Sequence, residues 1–504
     1  MRARRYVVLG LQVAGWIAFA SYRIREAAAY APAVWQDSKS YLDSSHQGWL
    51  SAGLWTGSRA PGTPVLLKLT AGNFGHYATT EAVLGALAWG FLAWTVGRLV
   101  APGWRGVMAT WAVLAFATAP LVVQWDWSAL SESPSLSALA VLCAAGLWTV
   151  RRFTWIRLAA IGAAALAYVA LRDAEIWGVG VVGVALLLVA TGRVIEGAAV
   201  RDQPVTVTVR QNYAAARAPL LTGAVLAAVS LVAAVAADAS HRNVSNMEDV
   251  FYVRIFPFPE RVAWFAAHGM PEGAAVDQLA AQTPAPAAGM AKLVVPPLSS
   301  PSWRPLDAWI QDRAQSTYVF YLATNPAYVI AAPFATPPLT YDNALGELDF
   351  YQPPDRALPF FETAFAPGRV VVLLEAVLAA GVAIARRLWK DRTWRFLVAF
   401  TVVGLLTMLI AWHGDGQEVT RHMVEGDVEA RLGVLVCLLY AALVPARPAS
   451  AGNDTGGAAR LWLPGPTGAE PSSAGTPPPA PSPPVPGHEA PDHEAPVSGG
   501  RPPG

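Results

Sequence analysis

Residues 1–22 read MRARRYVVLGLQVAGWIAFASY: three arginines, then an unbroken apolar run. The reading of this stretch decides the fold class. A secretory signal peptide has the same charged start and apolar core. Here no small-x-small cleavage site follows cleanly, and the run continues through Trp16, Phe19 and Tyr22. It therefore reads as a retained first membrane span. The whole 504-residue chain agrees, with 54% hydrophobic and only 14% charged residues, a balance that favours a polytopic membrane protein. The net charge of +1 gives no case for a nucleic-acid partner. Two cysteines, Cys143 and Cys437, both inside apolar runs, provide neither a metal site nor a disulfide framework.

About 20 apolar residues cross a bilayer core. Ten runs approach that length: 6–22, 82–101, 107–123, 134–150, 157–171, 176–191, 219–237, 369–385, 396–412 and 432–446. With both termini cytoplasmic, the inside loops carry 18 Lys and Arg and the short outside loops carry 8. That asymmetry follows the positive-inside rule. The expected fold is thus an all-α polytopic membrane protein of about ten spans. A transmembrane domain covers 1–447, and an extracytoplasmic insertion at 238–368 lies within it. That insertion is acidic, with 13 Asp and Glu against 7 Lys and Arg. Its aromatic piece TYVFYLATNPAYVIAAPFA, 317–335, reads as a helix on the membrane surface. Residues 448–504 are rich in Pro, Gly and Ser and read as a disordered cytoplasmic tail. The doubled His-Glu unit there (His488-Glu489, His493-Glu494) reads as low-complexity drift, and Asn243-Val-Ser as an unused glycosylation sequon.

The apolar runs are nearly free of charge, with Glu375 the main exception. Charge gathers instead where runs meet the outer side. VWQDSKSYLDSS, 34–45, carries Asp37 between Trp35 and Tyr41, and GSRAPGTPVLLKL from Gly57 carries Arg59. QWDWSALSES, 124–133, carries Asp126 and Glu132; LRDAE, 171–175, carries Arg172, Asp173 and Glu175. HGDGQEVTRHMVEGDVEAR, 413–431, carries His413, Asp415, Glu418, Arg421, His422 and Glu425. An ion-coupled transporter would place such groups near the midplane of broken, repeated helices. An outer-face cluster suits chemistry on a polar group attached to a lipid.

Asp37 is a candidate general base, with aromatic neighbours that desolvate it and raise its pKa; the alternative is a helix cap or solvated loop residue. Asp126 reads either as a second carboxylate, converging with Asp37 at the mouth of an outward cavity, or as a polar residue in a tryptophan belt. Glu132 reads as an acid on a helix N-terminus. Arg59, Arg421 and Arg172, with His422, are candidates to hold a lipid phosphate through paired N–H donors. Each arginine has a local alternative: Arg172 with Asp173 or Glu175, and Arg421 with Glu418 or Glu425.

This layout resembles the C-type superfamily of membrane glycosyltransferases (GT-C), such as protein O-mannosyltransferases and aminoarabinose transferases, in an actinobacterial branch. WQDSKSY with Asp37 resembles the first outer loop. GSRAPGTPVLLKL resembles its return to the membrane, and WDWSALSES, with Asp126, the segment after the third span. TNPAYV resembles the outer surface helix, and VTRHMVEGDVEARL the basic entry to a late span. The first loop has Asp-Ser where the mannosyltransferases have an acidic pair, and the last segment reads Thr-Arg-His where Glu-Arg-Tyr is commoner. The resemblance implies transfer of a sugar from a polyprenyl-phosphate donor to a lipid, glycan or protein acceptor on the outer face of the cytoplasmic membrane. Asp37 would be the base. Asp126 would assist, through a divalent cation (Mg or Mn) or by orienting the acceptor. Arg59, Arg421, His422 and Arg172 would hold the phosphate. The alternative is a non-enzymatic envelope protein, a transporter or a lipid-handling scaffold.

Overall fold

The computed structural model describes residues 2–29, 31–198, 205–242, 244–282, 303–335, 369–414, 416 and 419–445. The sequon residue Asn243, Asp415, Glu418 and the tail lie outside them. Among the described residues every regular element is helical, apart from an isolated parallel bridge between Ala33 and Ser128. The chain runs through α1 (Arg2–Ala29), α2 (Gln36–Ser45), α3 (Ala52–Trp55), α4 (Gly62–Leu69), α5 (Phe74–Val100), α6 (Trp104–Phe116) and α7 (Pro120–Val123). A 3₁₀ turn, Gln124–Trp127, leads into α8 (Glu132–Arg151), α9 (Trp155–Leu171), α10 (Glu175–Ala198) and α11 (Val205–Ala239). Short helices α12 (Val244–Val250), α13 (Pro259–Ala267), α14 (Ala274–Gln282), α15 (Arg304–Trp309), α16 (Gln315–Thr324) and α17 (Pro326–Ala335) follow, then α18 (Arg369–Ala385), α19 (Arg392–Gly414) and α20 (Val419–Leu443).

Nine of the ten apolar runs each fall on one helix and the run 107–123 is divided between α6 and α7, and the helices are not ten equivalent spans. Six are long and apolar enough to cross a membrane: α1, α5, α8, α10, α11 and α19. A seventh arises if α6 and the segment Pro120–Trp127, bent by 60°, count as one. α9 and the apolar part of α18 are shorter. α20 differs for another reason. The apolar run starts at 432, whereas the helix starts at Val419 and carries Arg421, Glu425, Asp427, Glu429 and Arg431 on its first half. Arg421 and Glu425 pair with groups from other helices or turns and Asp427 pairs with Arg431, which lets polar residues continue the helix.

Glycine pairs set close helix approaches, among them Gly97 of α5 with Gly106 of α6. A Cβ on Gly404 of α19 would lie 2.8 Å from the Gly426 carbonyl oxygen, and one on Gly426 of α20 would lie 2.7 Å from the Gly404 oxygen. Gly183 and Gly223 do the same for α10 and α11. Apolar helices in lipid gain nothing from hydrophobic burial against one another, so small residues that permit backbone contact hold them. The main core runs through α5, α8 and α20, with Trp89, Leu92, Leu136, Val424 and Val428 buried.

A second, aromatic core joins α12 to α17. Phe251, Phe265, Trp309, Tyr318 and Tyr321 pack edge-to-face or tilted at 4.9–6.5 Å between centroids. The surface piece over 317–335, expected to be broken by Pro326 and Pro333, is split at Asn325-Pro326 into α16 and α17, whereas Pro333 lies inside α17. Proline lacks the amide hydrogen that would continue the helix. Val319, Phe320, Ile330 and Phe334 stay exposed on it.

A candidate site of alternating charges

Helix α2 presents Asp37 because its first turn is ordered from both sides. The Ser38 hydroxyl accepts from the Trp35 amide, and Tyr41, one turn on, is buried with its hydroxyl donating to Ser131 at 3.3 Å. Positions i and i+4 share a helix face, so burying Tyr41 turns Asp37 toward the bundle. There the two carboxylate oxygens meet different cations. Oδ1 accepts from Arg59 at 2.7 Å and Oδ2 from Arg421 at 2.8 Å. Arg59 comes from the turn before α4 and also lies over the Tyr41 ring. Asp37 is thus no helix cap.

From Arg421 the network runs inward. Its Nε lies 2.8 Å from Glu132 of α8, and Glu132 is 3.2 Å from Arg172, which follows α9. Arg172 also pairs with Glu425 of α20 and donates to Nδ1 of His422 at 3.1 Å. A guanidinium can only donate, so Nδ1 accepts and the imidazole proton sits on Nε2. The order Arg59, Asp37, Arg421, Glu132, Arg172, Glu425 alternates in sign and sums to zero. Exposure falls along it: the side chains of Arg59 and Asp37 are 32% and 22% exposed, and Glu132 and Glu425 are fully buried. Alternation is what lets charges persist there, because an isolated buried charge costs several kcal/mol.

The local pairings of Arg172 with Asp173 or Glu175 and of Arg421 with Glu425 give way to longer ones, and Glu418 lies outside the described residues. Arg172 pairs with neither Asp173 nor Glu175; Asp173 pairs instead with Arg242 at 3.0 Å. Arg421 takes Asp37 and Glu132 rather than Glu425. Arg421 and Glu425 share a face of α20, and the groups packed against it decide the exchange: α2 and α8 bring acids to Arg421, and the residue after α9 brings an arginine to Glu425.

Asp126 does not join Asp37 at a common mouth. It is fully buried and forms a forked pair with Arg23 of α1, with Nη2 to Oδ1 at 2.6 Å, and it accepts from the Ser133 hydroxyl at 2.6 Å. Arg23, read as an outer-loop cation, is itself on a helix and fully buried. The two neutralise each other in the interior.

Burial pushes the Asp37 carboxyl up, but the Arg421 and Arg59 guanidiniums outweigh it and hold it below the usual range. This corrects the expectation of a raised value. Burial drives Arg172 down, yet Glu425 and Glu132 more than reverse it, so its charge is permanent. At Asp173 burial wins over Arg242 and the carboxyl is raised.

A divalent cation does not fit these donors. Both oxygens of Asp37 and of Asp126 are held by guanidinium or hydroxyl groups. Among the described residues no group of three or more His, Cys, Asp or Glu side chains could hold a metal ion. Sequence reasoning assigned Glu132 only to the helix dipole and overlooked Arg242 and Glu81. Glu132 is the first residue of α8 and also bridges two arginines. Glu81 is buried on α5, seven residues after that helix begins and one before the apolar run.

The chain matches no protein-family model, no curated protein and no solved structure.

Proposed function

We propose that the chain is a membrane glycosyltransferase of the GT-C kind, moving a sugar from a polyprenyl-phosphate donor to a lipid, glycan or protein acceptor. One observation carries this reading: a carboxylate, partly exposed, is clamped between two guanidiniums at the end of an apolar helix bundle. The network has no surplus positive charge, so an incoming phosphate must compete with Asp37 for Arg59 and Arg421. Guanidiniums match phosphate oxygens with paired donors. Once they turn to phosphate, Asp37 loses the cations that depress its pKa and becomes a better base.

The reaction then follows from atoms in place. The acceptor hydroxyl gives its proton to the Asp37 carboxylate as its oxygen bonds to the anomeric carbon. The bond from that carbon to the phosphate oxygen breaks, and the electron pair leaves on the phosphate. Arg59 and Arg421 hold the charge that develops. Glu132, through Arg421, and Arg172, through Glu132, fix the geometry from behind. Asp126 has no part in the transfer; with Arg23 it ties α1 to the turn before α8. The site is placed on the outer face by the charge asymmetry of the loops.

The test is a glycolipid and glycoprotein profile of a strain lacking the protein, complemented with wild type or with Asp37→Asn at equal abundance. Wild type restores a missing glycoconjugate and Asp37→Asn does not. Restoration by Asp37→Asn removes Asp37 from the chemistry.

A second reading, ion-coupled transport, is favoured by the buried Asp427–Arg431 pair, 2.8 Å apart within α20, and by buried Glu429 beside it. An unchanged profile in the deletion strain, with proton-driven solute uptake into vesicles, selects it.

A further inference from the structure

The segment between Asp37 and Arg59 is closed at its base by their ion pair. It is closed again by Lys68, whose ammonium donates to the carbonyls of Ser45 at 2.9 Å and Gln47 at 2.7 Å. The Trp55 indole donates to the Trp49 carbonyl at 2.7 Å and ties the far end together. Leu54 faces inward and is 1% exposed, so the segment is seated, not splayed. Yet its outward residues are apolar: Leu50 is 99% exposed, and Trp49 and Trp55 are about half exposed. Leu69, at the end of α4, is exposed as well.

Two features say what covers this face. From Ser44 to Thr80 the chain contains no Asp or Glu, and its charged residues are Arg59 and Lys68. Lys68 lies 5.2 Å from the Trp49 ring, with its stem along apolar surface. Leu84 and Leu87 of α5, one of the helices suited to crossing a membrane, are exposed as well. Tryptophan with apolar tips and flanking cations is the composition that settles at the headgroup level of a bilayer. Anionic lipid attracts such a segment further.

We infer that residues 46–56 are a bilayer anchor, covered by the headgroup and upper acyl region of the surrounding membrane, and that this anchor fixes Asp37 and Arg59 at headgroup depth. A site held there meets charge carried by a lipid sooner than charge in bulk water. That last step rests on the transfer reading; the anchoring does not.

The experiment uses the full chain with Leu50→Cys, spin-labelled, in nanodiscs of phosphatidylcholine and phosphatidylglycerol. Both native cysteines are buried. Collisions with oxygen and with a water-soluble nickel chelate are compared with those of labels at Leu87→Cys, on the apolar face of α5, and His268→Cys, exposed at the end of α13. The expected result is a high oxygen-to-chelate ratio at residue 50, as at 87. A ratio matching residue 268 places the segment in water and overturns the inference. Protection from both reagents means a protein covers it and overturns the inference equally. Because no sugar transfer is measured, either failure is distinct from failure of the transferase reading.

Discussion

Arg421 reaches two carboxylates with two different nitrogens, Nη2 to Asp37 and Nε to Glu132. A lysine offers one point charge and cannot span both. Arg421→Lys should therefore leave the protein folded and lower transfer on the order of 100-fold, the scale of a misplaced reacting group, read as initial rate in membrane vesicles. Asp37 also gives stability a definite pH dependence. Its folded pKa lies below its unfolded one, so its contribution is present above the unfolded value of about 3.9 and is lost as pH falls through the folded value. Thermal unfolding in detergent should shift downward as pH drops below about 4, and Asp37→Asn should remove that part of the shift. The buried Arg23–Asp126 pair predicts something different: Asp126→Ala strands a guanidinium in the interior and should cost about 3–5 kcal/mol, seen as lost thermal stability. At this scale Asp37, Arg59, Arg172 and Arg421 were legible, because charge beside an apolar run is rare and conspicuous. Their partners were not. Glu132 and Glu425 have equally good local explanations in sequence, and only packing shows which acid faces which arginine.

At the scale of elements, the site depends on how closely α19 and α20 approach. Gly426 directly follows Glu425, and its surroundings leave no room for a side chain: Met408 N and the Gly404 oxygen are both 2.7 Å from where a Cβ would sit. Gly426→Leu should push the helices apart, cost about 1–3 kcal/mol, and draw Glu425 away from Arg172. The check is thermal stability together with transfer rate, and both should fall. Element existence was legible from apolar runs of near-span length. Element boundaries were less so. α5 begins at Phe74, where the Asn73 side chain accepts from the His76 amide, well before the apolar run at 82. α20 begins 13 residues before its run, at Val419. In both cases buried acids, Glu81 and Glu425, ride on helices instead of loops, and Glu425 is neutralised by Arg172 from another part of the chain. The split at Asn325-Pro326, by contrast, follows from proline chemistry visible in the sequence.

At the scale of the whole molecule, the described helices carry loop cations such as Arg151, Arg152 and Arg386 at one end and the alternating ion-pair network with the Arg23–Asp126 pair at the other. The C-terminal ends of α1, α9 and α19 meet the N-terminal ends of α5, α8, α10 and α20 there, which is what alternating helix directions require. The loop charges predict that this end faces outward. A membrane-impermeant thiol reagent should accordingly label His268→Cys, exposed after α13, in intact cells. Purified protein in nanodiscs, supplied with a synthetic polyprenyl-phosphate donor carrying a radiolabelled sugar and with total membrane extract as acceptor, tests the central claim most directly. The account predicts label moving into an acceptor fraction with wild type and not with Asp37→Asn, at equal folded protein. Equal transfer by both, or none by wild type with any polyprenyl-linked sugar, would contradict it.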